Sequence, residues 1–187
     1  MKLSILLASA ALLATPLAAN ALVYQFNASL KGASEVPANA VAGTGVATLF
    51  YDDMGTLATA GDTYSFSLAA FGLSGVATAF HIHAPALAGF NTPPVVNLNM
   101  APFASLNVGG TLLVGGANVA TPYSAFLSDL LAKKAYVNIH TAAHGGGEIR
   151  GQLLQVAVVP EPSTYALLLA GLGLVGVAAR RRSQAGR

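Results

Sequence analysis

The sequence predicts an all-β domain, an antiparallel sandwich or barrel with one short helix, placed between two terminal targeting segments. Two observations predict this fold class: apolar and polar residues alternate with a period of two within residues 22–158, and turn-forming residues recur between the short apolar runs. The chain has 187 residues and no cysteine. A domain of this size buries roughly two thirds of its unfolded surface, so it can fold without disulfides.

Eight strands are predicted from the side-chain pattern. In residues 24–30 the apolar side chains fall on one parity and the polar ones on the other, as in a strand half buried against a core, and residues 63–68 repeat this pattern. Residues 46–51 are apolar on both parities, which indicates a more central strand. The remaining predicted strands are residues 78–83, 95–99, 106–114, 135–140 and 148–156.

Turn residues and one helix separate these strands. Thr121 is a good N-cap with Pro122 at the first helical position, and an apolar stripe formed by Phe126, Leu127, Leu130 and Leu131 follows. Clusters of glycine, proline and aspartate predict turns at residues 52–55, 60–62, 92–94, 115–116 and 145–147. Short strands with frequent turns favour an antiparallel sheet over a parallel one.

Residues 1–21 have the pattern of a secretory signal peptide. Lys2 supplies the positive charge, residues 3–13 are apolar, and Ala19 and Ala21 are the small residues that signal peptidase requires for cleavage after Ala21. The alternative is a buried N-terminal helix. We expect the chain to be exported and processed by signal peptidase.

The C-terminal segment, residues 159–187, predicts a membrane anchor. The 17 residues from 163 to 179 carry no charge, and at about 1.5 Å per residue a helix of this length spans about 26 Å, close to the hydrocarbon core of about 30 Å. A basic tail, residues 180–187, begins with Arg180, Arg181 and Arg182. Because such clusters remain cytoplasmic, the domain is expected on the other side of the inner membrane.

Pro160, Glu161 and Pro162 directly precede this predicted helix. The three-part pattern of motif, apolar segment and arginine cluster closely resembles the PEP-CTERM sorting signal. That resemblance implies recognition by an exosortase, followed by release or by attachment at the cell surface. A plain single-pass anchor is the alternative, and both place the domain outside the inner membrane.

Charge and motifs exclude several function classes. The formal net charge is +2, but four of the nine positive residues lie in the last eight positions, and the region between the two ends carries four positive and six negative residues. We therefore expect no nucleic-acid partner. The lack of cysteine excludes thiolate metal sites and thiol nucleophiles, and no catalytic motif is found, so no catalytic residue and no enzyme activity are predicted.

Three segments together resemble the CHRD domain, the repeat of chordin. They are LKGASEVP at residues 30–37 with GTGVA at 43–47, HIHAP at 81–85 with PVVNL at 94–98, and AYVNIHT at 135–141 with GEIRGQL at 147–153. The resemblance covers about residues 24–156. It implies a Greek-key β-sandwich of immunoglobulin-like or copper/zinc superoxide dismutase-like shape in an extracytoplasmic setting, and it supplies no reaction.

The histidines are the one chemical signal in the domain. His81 and His83, two residues apart on a predicted strand, point to the same face, and the parity of the strand at residues 135–140 places Tyr136, Asn138 and His140 on its polar side. If the two strands are neighbours, three imidazoles converge and can bind zinc or copper, with or without His144. Alternatively, the histidines lie on a solvated face, bonded to loops, and no cofactor is bound.

The His-x-His strand also resembles the copper-binding strand of copper/zinc superoxide dismutase. The bridging histidine, the other zinc ligands and the cysteine pair of that enzyme have no counterpart, so redox catalysis is disfavoured. Glu148 and Arg150 share a parity on the last predicted strand, and we expect them to pair with each other or with the face of Asn138 as a structural polar surface. An exposed pair of this kind contributes under about 1 kcal/mol.

These patterns lead to one principal expectation and two alternatives. The principal one is an exported, non-catalytic module sorted to the cell envelope or the extracellular matrix. The first alternative is an extracytoplasmic protein that binds copper or zinc. The second, motivated only by the sorting signal, is adhesion to exopolysaccharide through the polar strand face.

Overall fold

The computed structural model describes residues 22–55, 61–156, 169–173 and 175, and its ordered domain is almost entirely antiparallel β-structure. The strands among these residues are β1 (Val23–Lys31), β2 (Thr44–Asp52), β3 (Thr63–Phe71), β4 (Ala77–His83), β5 (Pro94–Asn97), β6 (Ala104–Val108), β7 (Thr111–Ala120), β8 (Tyr136–Thr141), β9 (Ile149–Gln152) and β10 (Leu154–Gln155). A 3-10 turn covers Gly32–Ser34, and helix α1 covers Phe126–Leu131. The predicted all-β class is confirmed.

Two predicted strands, residues 106–114 and 148–156, are each divided into two strands in the structure. The run at residues 106–114 contains Gly109 and Gly110, whose φ angles of 56° and 81° reverse the chain between β6 and β7. The predicted turn at residues 115–116 is wrong, because both glycines lie inside β7. There a Cβ on Gly116 would lie 2.5 Å from the ring of Phe103, so close packing rather than a turn requires glycine.

The helix begins later than predicted. The amide of Thr121 donates to the carbonyl of Asp62 and so closes the end of the β3–β7 ladder, and the chain turns before α1 begins at Phe126. Ala125 occupies the cap position without a side-chain hydrogen bond. Phe126 and Leu130 are buried as the predicted stripe requires, whereas Leu131 is exposed.

The hydrogen-bonded strands follow the order β5-β4-β8-β9-β1-β2-β3-β7-β6, with β10 paired to β1. Strand β9 meets β1 at a single register pair, Arg150 opposite Lys31, and the sheet curls around one hydrophobic core to which both parts contribute. A Cβ on Gly151 would lie 2.5 Å from the carbonyl oxygen of Ser29, so only glycine allows this close approach. The finer description, a Greek-key sandwich of immunoglobulin or superoxide dismutase shape, stays a prediction.

Alternation within β4 and β8 fixes the orientation of the candidate site. Phe80 and Ile82 of β4, and Val137 and Ile139 of β8, point into the core. The residues between them therefore point to the opposite side of the sheet, as the period of two predicted.

Several predicted features lie outside the described residues. These are the signal peptide at residues 1–21 with Ala19 and Ala21, the sorting motif of Pro160, Glu161 and Pro162, the basic tail at residues 180–187, and the predicted membrane helix at residues 163–179 apart from residues 169–173 and 175, which are helical. Within the described parts of the chain, no helix has the length and hydrophobicity that a membrane crossing requires.

Candidate metal centre

Direct pairing of β4 with β8 brings three histidines together. In this ladder His81 lies opposite Asn138 and His83 opposite Tyr136, while His140 lies opposite Ala79. The ring centroids of His81 and His83 are 5.5 Å apart, and those of His81 and His140 are 5.4 Å apart. One ring nitrogen from each histidine lies within 4.8 Å of the other two. We call these residues the histidine cluster; His144, in the turn after β8, is not part of it.

Hydrogen bonds to the backbone orient two of the three rings. The Nδ1 atom of His83 lies 2.7 Å from the carbonyl oxygen of Thr92, and that of His140 lies 2.9 Å from the carbonyl oxygen of Gly145. Because a carbonyl oxygen only accepts, each Nδ1 carries the proton and donates it. In the neutral ring the Nε2 atom then keeps a free lone pair.

Three buried ring nitrogens have no hydrogen-bond partner in the described structure. They are Nδ1 of His81, Nε2 of His83 and Nε2 of His140. A buried polar atom without a partner destabilises a fold by about 1–3 kcal/mol. A metal ion bound by the three lone pairs would remove this penalty, and the two backbone carbonyls already orient His83 and His140 as outer-shell partners of metal-binding histidines do.

The surroundings of His81 and His83 favour their neutral forms. Burial, reinforced by the nearby His83 and His140, lowers the pKa of His81 to about 4. Burial also lowers the pKa of His83, and His140 and Arg150 act in the same direction, against the hydrogen bond to Thr92. Neutral imidazole is the form that binds metal ions, and three such ligands suit zinc or copper.

Tyr136 and Arg150 pack in succession against the ring of His83. The rings of His83 and Tyr136 are stacked, with centroids 4.6 Å apart and planes at 4°, and the guanidinium carbon of Arg150 lies 3.4 Å from the centroid of the Tyr136 ring. Both groups cannot share one face of the ring at these distances, so Tyr136 lies between them. Arg150 is 2% exposed and donates to Oδ1 of Asn91 and to the carbonyl of Phe90.

Two loops cover part of this face of the sheet, so His83 is buried, whereas His81 and His140 stay partly exposed. The side chain of Asn91, in the loop after β4, donates to the carbonyl of Val36 in the loop after β1. Beneath these loops His83, Asn138 and Arg150 are buried. The period of two placed these side chains correctly on one side but could not show what covers them. The alternative of adhesion to exopolysaccharide through this face stays a prediction.

Glu35 is a site residue that sequence reasoning missed. Its buried carboxylate accepts a hydrogen bond from Nδ2 of Asn138 at 2.8 Å. Burial raises the pKa of Glu35 to about 7, although Arg150 and the Asn138 hydrogen bond oppose the rise. The available signal was the Glu35-Val36-Pro37 motif, which by itself indicates only the end of a strand.

Glu148 belongs to a different cluster. Its carboxylate accepts hydrogen bonds from the amide and hydroxyl of Ser74, both at 2.6 Å, and from the hydroxyl of Thr141 at 2.5 Å. Burial alone would raise the pKa of Glu148, but these hydrogen bonds lower it overall. We call Ser74, Thr141 and Glu148 the carboxylate cluster. The predicted exposed pair with Arg150 is wrong: Glu148 is 0% exposed and precedes β9, so it does not share the parity of Arg150.

Comparison with known proteins agrees with the architecture. The family model of the CHRD domain matches residues 26–153, which are 128 of the 187 residues, and the model of the PEP-CTERM protein-sorting motif matches residues 158–182. Comparisons with curated proteins and with solved structures each give no match. The sorting motif indicates an exported protein that is sorted to the cell envelope or surface. The chain belongs to the CHRD domain family and carries a PEP-CTERM sorting motif.

Proposed function

We propose that this CHRD protein is an exported, non-catalytic module that binds one transition metal ion, copper or zinc, through His81, His83 and His140. One observation carries the proposal: one ring nitrogen from each of the three histidines lies within 4.8 Å of the other two, and each ring has a buried nitrogen without a hydrogen-bond partner. A single ion bound at about 2.0–2.1 Å by three imidazoles requires their nitrogens to lie within about 4 Å of one another, so a small movement of the rings from this spacing allows binding.

Loop bracing alone accounts for only part of this geometry. His83 and His140 do bond to backbone carbonyls, as histidines that brace loops would, but each uses only its Nδ1 atom. The other nitrogen of each ring remains buried and unpartnered, together with Nδ1 of His81. Most buried polar groups in folded proteins have a partner, so three such atoms in one place favour a bound ligand.

The set of three histidine ligands favours a site that binds an ion without catalysing a reaction. The cluster contains no carboxylate among the described residues, and the buried carboxylate of Glu35 bonds to Asn138. A bound zinc or copper ion would supply Lewis-acid or one-electron chemistry. The chain's own contribution is to hold the rings with two backbone carbonyls, to stack Tyr136 against His83, and to cover the site with loops.

The terminal segments support a route to the envelope. In this proposal signal peptidase cleaves after Ala21, the segment at residues 163–179 holds the protein in the inner membrane, and an exosortase acts at Pro160-Glu161-Pro162. The match to the sorting motif supports the last step. Mass spectrometry of the protein from envelope fractions tests the route: loss of both terminal segments is expected, and retention of both contradicts it.

Metal content after purification from the native envelope tests the metal site. The wild-type protein is expected to carry about one copper or zinc ion per chain, and the double variant His81→Ala/His83→Ala to carry almost none, as measured by elemental mass spectrometry. His144→Ala is the matched control, because His144 lies in the same hairpin but outside the histidine cluster, and it is expected to keep the metal. No metal in the wild type, or equal metal in the double variant, would contradict the proposal.

A further inference from the structure

We infer that the histidine cluster selects monovalent copper over divalent ions, because the buried guanidinium of Arg150 stands behind His83 and the cluster supplies no negative ligand. This inference rests on the proposed metal site and adds the ion's charge state. The preferred charge of the ion follows from the charges of the groups around the histidine cluster. The number and spacing of the histidines do not determine it.

The ligands leave the charge of the ion uncompensated. All three are imidazoles, which carry no negative charge, and no carboxylate joins them among the described residues. Transferring an ion from water into a protein interior is unfavourable, and in the Born description the penalty grows with the square of the charge. A divalent ion therefore meets roughly four times the penalty of a monovalent ion of similar size.

Arg150 adds a fixed positive charge to the same surroundings. Its guanidinium stacks on Tyr136, and His83 stacks on the same ring, so the positive group lies behind a metal ligand. Its two hydrogen-bond acceptors, the side-chain oxygen of Asn91 and the carbonyl of Phe90, are neutral. Glu35 is the carboxylate that interacts with Arg150, and burial raises its pKa to about 7, which weakens its compensating charge at neutral pH.

The number of ligands points in the same direction. Zinc in proteins is almost always four-coordinate, and divalent copper prefers a tetragonal arrangement. Monovalent copper has a filled d shell and accepts three ligands. Three imidazoles therefore satisfy monovalent copper without a further ligand, whereas either divalent ion needs water or another group to complete its shell.

Asn91→Asp is the most informative variant, because it places a negative charge on the hydrogen-bond partner of Arg150. It also removes the amide that donates to the carbonyl of Val36, so Asn91→Ala, which loses that hydrogen bond without adding a charge, is a second control and is expected to leave the potential unchanged. Asn27→Asp adds the same charge at an exposed position of β1 and is the matched control. The full-length protein is stripped of metal and titrated with Cu⁺ and with Zn²⁺ against chromophoric chelators. The midpoint potential of the copper-loaded protein is measured by redox titration.

The wild type is expected to prefer Cu⁺, and Asn91→Asp to shift the Cu²⁺/Cu⁺ equilibrium about fivefold toward Cu²⁺, which is about 40 mV for a one-electron couple. Asn27→Asp is expected to leave the potential unchanged. Equal binding of Zn²⁺ and Cu⁺ by the wild type, or an unchanged potential in Asn91→Asp, would overturn the inference and leave the proposed metal site intact. Failure to bind either ion would overturn both.

Discussion

The histidine cluster and the carboxylate cluster lie on opposite faces of the sheet around β8 and differ in how their polar atoms are satisfied. His140 and Thr141 are adjacent in β8, and their side chains point to opposite sides of the sheet. Both oxygens of Glu148 accept hydrogen bonds from Ser74 or Thr141. In the histidine cluster, by contrast, three buried nitrogens have no partner within the described structure.

The difference separates buried polar groups whose hydrogen bonds are made within the fold from buried polar groups that have none. A buried group whose hydrogen bonds are all made within the chain stabilises a structure, and removing one member leaves the others unsatisfied. A buried group without partners is destabilising until something binds it. We therefore expect substitutions in the carboxylate cluster to affect folding directly, and substitutions in the histidine cluster to act chiefly on binding.

The largest effect is expected for Glu148→Ala in the carboxylate cluster. The substitution leaves the amide and hydroxyl of Ser74 and the hydroxyl of Thr141 without their acceptor. The free energy of unfolding should fall by about 3 kcal/mol, as measured by urea denaturation in the presence of a metal chelator. Glu148→Gln keeps the volume and one acceptor oxygen and should lose about half as much. A loss below about 1 kcal/mol for Glu148→Ala would show that this cluster does not hold the hairpin.

Gly147→Ala tests the turn that separates the two clusters. Gly147 has a φ of 132°, and an added Cβ would lie 2.6 Å from both Nδ2 of Asn138 and Oε2 of Glu35. We expect the substitution to lower the free energy of unfolding by about 2 kcal/mol, measured as for Glu148. Gly146→Ala is the control in the same turn, because a Cβ there meets no atom within 4 Å. Equal stability of the two variants would contradict the close packing at Gly147.

The faces of the strands could be predicted from the sequence because side chains alternate in any strand. His81 and His83 therefore fall on one side, and Phe80 and Ile82 in the core, whatever the neighbouring strands are. The pairing of β4 with β8, which makes His140 a neighbour, depends on contacts distant in sequence. No local pattern specifies such contacts.

The errors have local causes. The prediction that Glu148 and Arg150 point to the same face requires one continuous strand from 148 to 156. In the structure β9 begins at Ile149, and Glu148, which follows the turn at Gly147, points to the opposite face. The covered site was missed because the covering segments have no periodic pattern. Asn91, which joins the two loops, directly precedes the predicted turn at residues 92–94 and belongs to no predicted element.

A smaller effect, on the pH dependence of stability, is expected from the histidine cluster. His81 has a pKa of about 4 in the folded protein, below its usual value of 6.5. Between these values the unfolded chain binds more protons, so the free energy of unfolding of the metal-free protein should fall as the pH falls from 6.5 to 4 and level off below that. After allowance for solvent screening we expect His81 to contribute about 1 kcal/mol to this fall.

His81→Gln isolates this contribution, because other groups titrate in the same range. Glu35, whose pKa is raised to about 7, acts in the opposite direction: the folded protein binds its proton first, so its contribution to stability is lost as the pH rises through 7. Burial lowers the pKa of His83 as well. Both effects cancel when the free energy of unfolding of His81→Gln is subtracted from that of the wild type at each pH. A difference that does not change between pH 6.5 and 4 would contradict the lowered pKa of His81.

The smallest effect is expected for His81→Ala in the metal-free protein at neutral pH. The substitution removes ring contacts with His83 and His140, which is destabilising, but it also removes a buried nitrogen that has no partner. These changes oppose each other, so the free energy of unfolding should change by less than about 0.5 kcal/mol in the chelator experiment used for Glu148. A loss above about 2 kcal/mol would mean that the fold itself depends on this ring. The histidine cluster would then be structural like the carboxylate cluster, and its unpartnered nitrogens would no longer favour a metal ion.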